Sequence, residues 1–209
     1  RMQSSNSLFA MPEEERNRLL WKRVVERNLF VVCQTPMAEK ITQRVLAGYN
    51  TDVRPNTKSF ADLVDILRDK DKKQVKRNKL IKRILNPSTY GNHDMKKTLK
   101  FSAVVGNPPY QLTNKGDGNG ADSLYNLFLD LGKDLGSLNT MIHPARFLFN
   151  AGKTPKSWNE SFLNNEHYKV VNYWANSADV FPRVDVKGGI AITLYNEHDT
   201  FTPIGFFSP

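Results

Sequence analysis

The chain has 209 residues, 39% of them hydrophobic, which is enough for one domain with a real core or one domain and an appendage. Its 30 basic and 21 acidic residues leave a net charge of +9, and a polyanionic partner such as nucleic acid is the natural reading. The single cysteine, Cys33, excludes an internal disulfide framework and a cysteine-based zinc site; the scattered histidines show no metal-ligand spacing, and no stretch approaches the ~18 apolar residues of a membrane span.

The first residues, RMQSSNSLFAMPEEERNR, lack the layout of a signal peptide, so the expected location is cytoplasmic, with no membrane partner. Opening on Arg1-Met2 and closing on the apolar TPIGFFSP, the chain reads as a piece of a larger protein. PEEERNRLLWKRVVER (12–27) predicts a helix, with Pro12 and three glutamates in the first turn and Leu19, Leu20, Val24 and Val25 at helical spacing. NLFVVC (28–33) predicts a short buried strand. TPMAEKITQRVLAGY follows as a helix, capped by Thr35, begun by Pro36 and closed by Gly48. Residues 1–49 thus form a helix followed by a strand–helix unit.

Residues 50–100 differ. SFADLVDILRDKDKKQVKRNKLIKRILN carries apolar positions at helical spacing (Leu63, Ile66, Leu67, Val75, Leu80, Ile81, Ile84) and a dense basic run from Lys70 to Arg83. A helical basic insertion is expected, its charges forming either an ordinary solvated face or a phosphate-binding surface. From 101 to 209 strands and helices alternate. FSAVVG, NTMIHP (139–144), YKVVNYWA (168–175) and GGIAITLYN (188–196) predict strands. DSLYNLFLDLGKDL (122–135) and TPKSWNESFLNN (154–165), the latter capped by Thr154, predict helices. This order implies βαβ crossovers and a mostly parallel sheet with flanking helices, whose ligands sit beyond the carboxyl ends of the strands.

AVVGNPPYQL (103–112) lies at such an end. Two adjacent prolines cannot continue a strand, because each lacks an N–H and fixes φ. The strand therefore stops on an amide, Asn107, with a phenol, Tyr110, close by. An elbow of this kind suits attack by the exocyclic amine of a planar base. That nitrogen is a poor nucleophile, since its lone pair is delocalised into the ring. The Asn107 side-chain oxygen and the Pro108 carbonyl would accept its two hydrogens and free the lone pair, Pro109 would stiffen the turn, and Tyr110 would stack on the base. A turn-forming asparagine before proline is the alternative reading.

The stretch VGNPPYQ (105–111) resembles the (D/N/S)PP(Y/F) signature of amino-methyltransferases, in the NPPY form of N6-adenine DNA methyltransferases. LNTMIHPARFLFNAGKTPKSWNESFLN and VVNYWANSADVFPRVDVKGGIAITLYN resemble later segments of restriction–modification methylases. RNLFVVCQTPMAEKITQRVL is similar to the family's second cofactor-side strand and helix. The resemblance implies a truncated Rossmann-like methyltransferase domain, S-adenosylmethionine as methyl donor and adenine N6 in double-stranded DNA as target, the base being everted. It implies roles for Asn107, Pro108, Pro109 and Tyr110 in catalysis, and for Phe181 as a second ring closing on the base. The alternative for Phe181 is a core phenylalanine at a turn.

Two departures stand out. No glycine-containing cofactor loop precedes residue 28, and it is expected before Arg1 in the parent protein. The acidic residue that holds the ribose hydroxyls is replaced by Cys33 or Gln34, and a thiol accepts hydrogen bonds poorly. Cofactor binding by the chain alone is therefore expected to be weak. In the basic run, Lys76, Lys79 and Arg83 are the expected DNA-phosphate contacts. The rival readings are a methylase of another amino group (cytosine N4 or protein glutamine) and a non-enzymatic DNA-binding or specificity fragment. A nuclease or specificity region elsewhere in the parent is left open.

Overall fold

The computed structural model describes residues 10–69, 73–93, 95, 98–111 and 122–208. The chain forms two compact units, Arg1–Leu99 and Lys100–Pro209.

In the first unit, α1 (Glu13–Arg27) begins after Pro12 with three glutamates in its first turn, where the helix dipole favours negative charge. Strand β1 (Phe30–Cys33) leads to α2 (Pro36–Ala47). The Thr35 hydroxyl accepts from the Ala38 amide at 3.1 Å, and Gly48 closes the helix at φ +57°, a left-handed position glycine occupies without strain. Next comes β2 (Asn56–Ser59), parallel to β1 from Phe30↔Asn56 to Cys33↔Ser59. A strand thus stands at the start of the stretch 50–100, where a helical basic insertion is expected. The strand NTKS has no apolar residue to announce it. Its buried residues are Asn56 and Thr57, and Asn56 Nδ2 lies 2.9–3.2 Å from the carbonyls of Val25, Glu26 and Leu29. Helices α3 (Leu63–Arg68) and α4 (Lys73–Ile84) follow, and Leu63, Leu67, Leu80 and Ile84 are buried with Phe60. Lys70, Asp71 and Lys72 of the basic run lie outside the described residues.

The second unit runs β3 (Phe101–Gly106), α5 (Tyr125–Leu135), β4 (Gly136–Pro144), a 3-10 turn (Arg146–Phe149), α6 (Lys156–Leu163), β5 (Tyr168–Trp174), a second 3-10 turn (Ser177–Asp179) and β6 (Ile190–Asn196). The sheet order is β3-β4-β6-β5. Strands β3 and β4 are parallel, and β6 lies antiparallel between β4 and β5. Three strands thus share one direction and the last opposes them. No crossover helix separates β5 from β6, so the chain returns beside β5 in the opposite sense. The whole is a Rossmann-like α/β arrangement with flanking helices.

Helix α5 packs on β4 and β3. The approach is closest at Gly132, where a Cβ would come 2.3 Å from Asn139 Nδ2, an atom that instead donates to the Leu129 carbonyl at 3.1 Å. Tyr125, Leu129, Met141, Phe147, Phe162 and Tyr168 fill the core, with Phe147 and Phe162 edge to face at 4.9 Å. Helix α6 starts one residue later than expected. Its cap position is Pro155, with no side-chain cap bond, and Thr154 is buried just outside it.

Candidate active site at the end of strand β3

Strand β3 ends at Gly106, and Asn107, Pro108, Pro109 and Tyr110 turn away from the sheet. Pro108 is buried, Pro109 and Tyr110 are half-buried, and Asn107 is exposed. Downstream, the Leu124 amide donates to the Tyr110 carbonyl at 3.1 Å, and Gln111 bridges Ser123. The elbow is therefore tied to the strand on one side and to the approach of α5 on the other. Asn107 has no side-chain partner among the described residues. The Tyr110 hydroxyl is buried without a hydrogen-bond partner among the described residues, and burial pushes its pKa up.

A cleft of about 380 Å³ opens beside the elbow, within the range of small-molecule sites. Its walls include Tyr110, Tyr125, Pro144, Arg146, Lys153 and the segment Asp185-Val186-Lys187. These residues follow β3, open α5, end or follow β4 and precede β6, so one end of the sheet builds the site. The loop before β6 is pinned by the buried Ser177: its hydroxyl donates to the Val184 carbonyl at 2.6 Å and accepts from the Val186 amide at 2.8 Å. Phe181 belongs to the same loop and is half-buried, its amide donating to the Ser177 carbonyl at 2.8 Å. It is not among the cleft-lining residues, and neither are Asn107, Pro108 and Pro109.

Behind the cleft stands a group that sequence reasoning passed over. His143 is fully buried near the end of β4, with Nε2 2.8 Å from Thr193 Oγ1 and Nδ1 3.1 Å from the Pro144 carbonyl. Its ring stacks on Tyr125 at 5.7 Å and 9°. Burial pushes its pKa down to about 4, so the imidazole is neutral at pH 7. With Nδ1–H donating to Pro144, Nε2 accepts from the Thr193 hydroxyl. The signal was present in the alternation of β4, where Asn139, Met141 and His143 all face inward.

The remaining expected site residues lie in the first unit. Cys33, at the end of β1, is 6% exposed; its Sγ faces Thr42 Oγ1 at 3.9 Å, and burial raises its pKa. Gln34 beside it is exposed. The carboxylate of Glu39 accepts from the Ser59 amide at 2.7 Å. On α4, Lys76 pairs with Asp69. Arg83 pairs with Asp62 at 2.8 Å and lies 5.2 Å above the Phe60 ring. Lys79 is exposed and makes no ion pair among the described residues. Arg77, on the same helix, is buried. Among the described residues no cluster of His, Cys, Asp or Glu could hold a metal, and no helix is long and apolar enough to cross a membrane.

The profile of the family described as Eco57I restriction-modification methylase matches residues 27–181. An uncharacterized adenine-specific methylase of Mycoplasma pneumoniae (strain ATCC 29342 / M129 / Subtype 1) is 32% identical over 119 residues, 54% of this chain and 28% of that protein. The chain therefore spans little more than a quarter of this curated relative's length.

Proposed function

Since the chain belongs to the Eco57I restriction-modification methylase family, we propose that it presents the target-base side of a DNA adenine N6-methyltransferase. The observation that carries this reading is the elbow Asn107-Pro108-Pro109-Tyr110 at the carboxyl end of β3, beside a cleft that Tyr110 helps to line. A base in duplex DNA must leave the stack to reach such a site. The Tyr110 ring offers it a new stacking surface. Asn107 Oδ1 and the Pro108 carbonyl then accept the two hydrogens of the adenine amine. As the nitrogen takes on positive charge, both contacts strengthen, and the prolines have already fixed the backbone acceptor. Adenine, rather than another amine, is favoured by the NPPY form of the motif and by the description of the Mycoplasma relative.

S-adenosylmethionine is the methyl donor expected of the family. The residues at the end of β1 do not fit its ribose: the Cys33 thiol is buried against Thr42, and no carboxylate occupies position 33 or 34. The roles proposed belong to residues 107–110. This observation also favours a second reading, in which the chain presents the base and binds DNA without binding cofactor by itself. Calorimetry with S-adenosylmethionine on these 209 residues separates the two. The test of the main reading is Asn107→Ala in the full-length protein. Methyl transfer to DNA should fall by about 10²–10³-fold, as when one preorganised acceptor or donor is lost elsewhere, with DNA binding retained. Transfer at the parental rate sinks the reading.

A further inference from the structure

Arg146 opens the 3-10 turn that follows β4, and it lines the same cleft as Tyr110. It is exposed and makes no ion pair among the described residues. Yet its stem is held by two glycines. A Cβ on Gly188 would come 2.6 Å from Arg146 Cγ, and one on Gly152 would come 3.3 Å from Arg146 Cβ. Both glycines have left-handed backbones, φ +86° and +92°, which a side chain would strain. The loop that supplies Gly188 is fixed in turn. The Ala145 amide donates to the Gly189 carbonyl at 3.0 Å, and Ser177 pins the chain just before Lys187. A cation is thus positioned by the backbone of two loops and left without a protein anion. Lys153 and Lys187 join it on the lining, against one acid, Asp185.

From this geometry we infer that Arg146 binds a backbone phosphate of the nucleotide whose base enters the Tyr110 cleft, with Lys187 adding charge. The inference rests on the base-presenting role of the elbow proposed above. A guanidinium offers a planar fork of N–H donors that matches a phosphate and keeps its charge at any working pH. The phosphate is tied to the base through one sugar, so a cation on the wall of the base cleft meets it only once the base has swung in. Arg146 therefore holds the everted state rather than the duplex at large. The competing anion is the carboxylate of the methyl donor.

The experiment uses the full-length protein and duplex DNA containing the target site with 2-aminopurine in place of the target adenine. Arg146→Gln keeps most of the aliphatic stem against the glycines and removes the charge. It should flatten the slope of log affinity against log salt by roughly 0.9, the value for one phosphate contact. It should also weaken binding by about tenfold or more, as for a lost charge-assisted hydrogen bond, and reduce the fluorescence that reports eversion. Arg146→Lys should restore the salt slope and only part of the affinity, because the fork is gone. Affinity for S-adenosylmethionine should not move. An unchanged salt slope in Arg146→Gln overturns the inference, and a weakened cofactor affinity with unchanged DNA binding reassigns the arginine to the carboxylate. Asn107→Ala serves as the control. If it abolishes transfer while Arg146→Gln leaves DNA binding alone, only the phosphate role fails; if it leaves transfer intact, the base-presenting reading itself fails.

Discussion

The Val186 amide donates to the Ser177 hydroxyl at 2.8 Å, and the same hydroxyl donates to the Val184 carbonyl at 2.6 Å, so one buried side chain holds both arms of the loop that walls the cleft. Ser177→Ala would remove the partner of the half-buried Val186 N–H and of the Val184 carbonyl. The expected loss is about 0.5–1.5 kcal/mol, the net worth of an ordinary hydrogen bond. Amide exchange at Val186 should quicken more than exchange in β4. Equal protection of Val186 in both proteins would show that the loop is held by something else.

At Tyr110 the hydroxyl and the ring make separable predictions. The hydroxyl is buried without a partner among the described residues, so Tyr110→Phe should leave methyl transfer intact and raise stability by about 1 kcal/mol. Tyr110→Ala removes the stacking surface and should weaken binding of an everted base by about 1–3 kcal/mol. Thermal melts and binding to DNA with a mismatched target adenine read the two effects. Equal damage from both substitutions would assign the role to the hydroxyl.

His143 sets a pH dependence of stability. Its pKa falls from an ordinary 6.5 to about 4 on folding, so between these values the unfolded chain binds more protons than the folded one. The contribution is fully present above pH 6.5 and is lost as pH falls toward 4. Between pH 7.5 and 5 the loss is about 2 kcal/mol. In His143→Gln, denaturant melts over this range should lose that part of the slope. A parallel pH profile in the two proteins would mean that the buried imidazole is not the titrating group.

The basic helix is expected to contribute unevenly to DNA binding. Lys76 and Arg83 are engaged by Asp69 and Asp62, whereas Lys79 is exposed without an ion pair among the described residues. Lys79→Gln should flatten the salt slope of DNA affinity by roughly 0.9. Lys76→Gln and Arg83→Gln should change it less. Arg83→Gln should instead cost about 0.5–1 kcal/mol of stability through the exposed ion pair and the contact with Phe60. Equal slopes for all three variants would show that phosphates displace the internal carboxylates.

How much of this was legible in the sequence depended on whether the cause was local. The prolines at 108 and 109 end β3 by their own chemistry, and Thr35, Pro36 and Gly48 bound α2 by theirs. Strand β2 was hidden because its buried residues are the polar Asn56 and Thr57, the former held by carbonyls far back in the chain, and no hydrophobic alternation marks it. The reversed direction of β6 was hidden because GGIAITLYN reads the same in either sense. The ion pairs of α4 were hidden because Asp62 and Asp69 precede the basic run and meet it only after folding. The two glycines against Arg146 carry no signature at all, since residues 146, 152 and 188 are brought together only by tertiary structure.

The position of β6 bears on how the chain is made. Of the four strands of this sheet β6 comes last in sequence, yet it lies between β4 and β5. Until residues 190–196 emerge from the ribosome, β5 lacks the strand that pairs with it among the described residues, and β4 has an open edge. Open edges recruit strands from other chains. A nascent or truncated chain that stops before Ile190 therefore exposes two adhesive strands at once, and aggregation competes with folding until β6 is made.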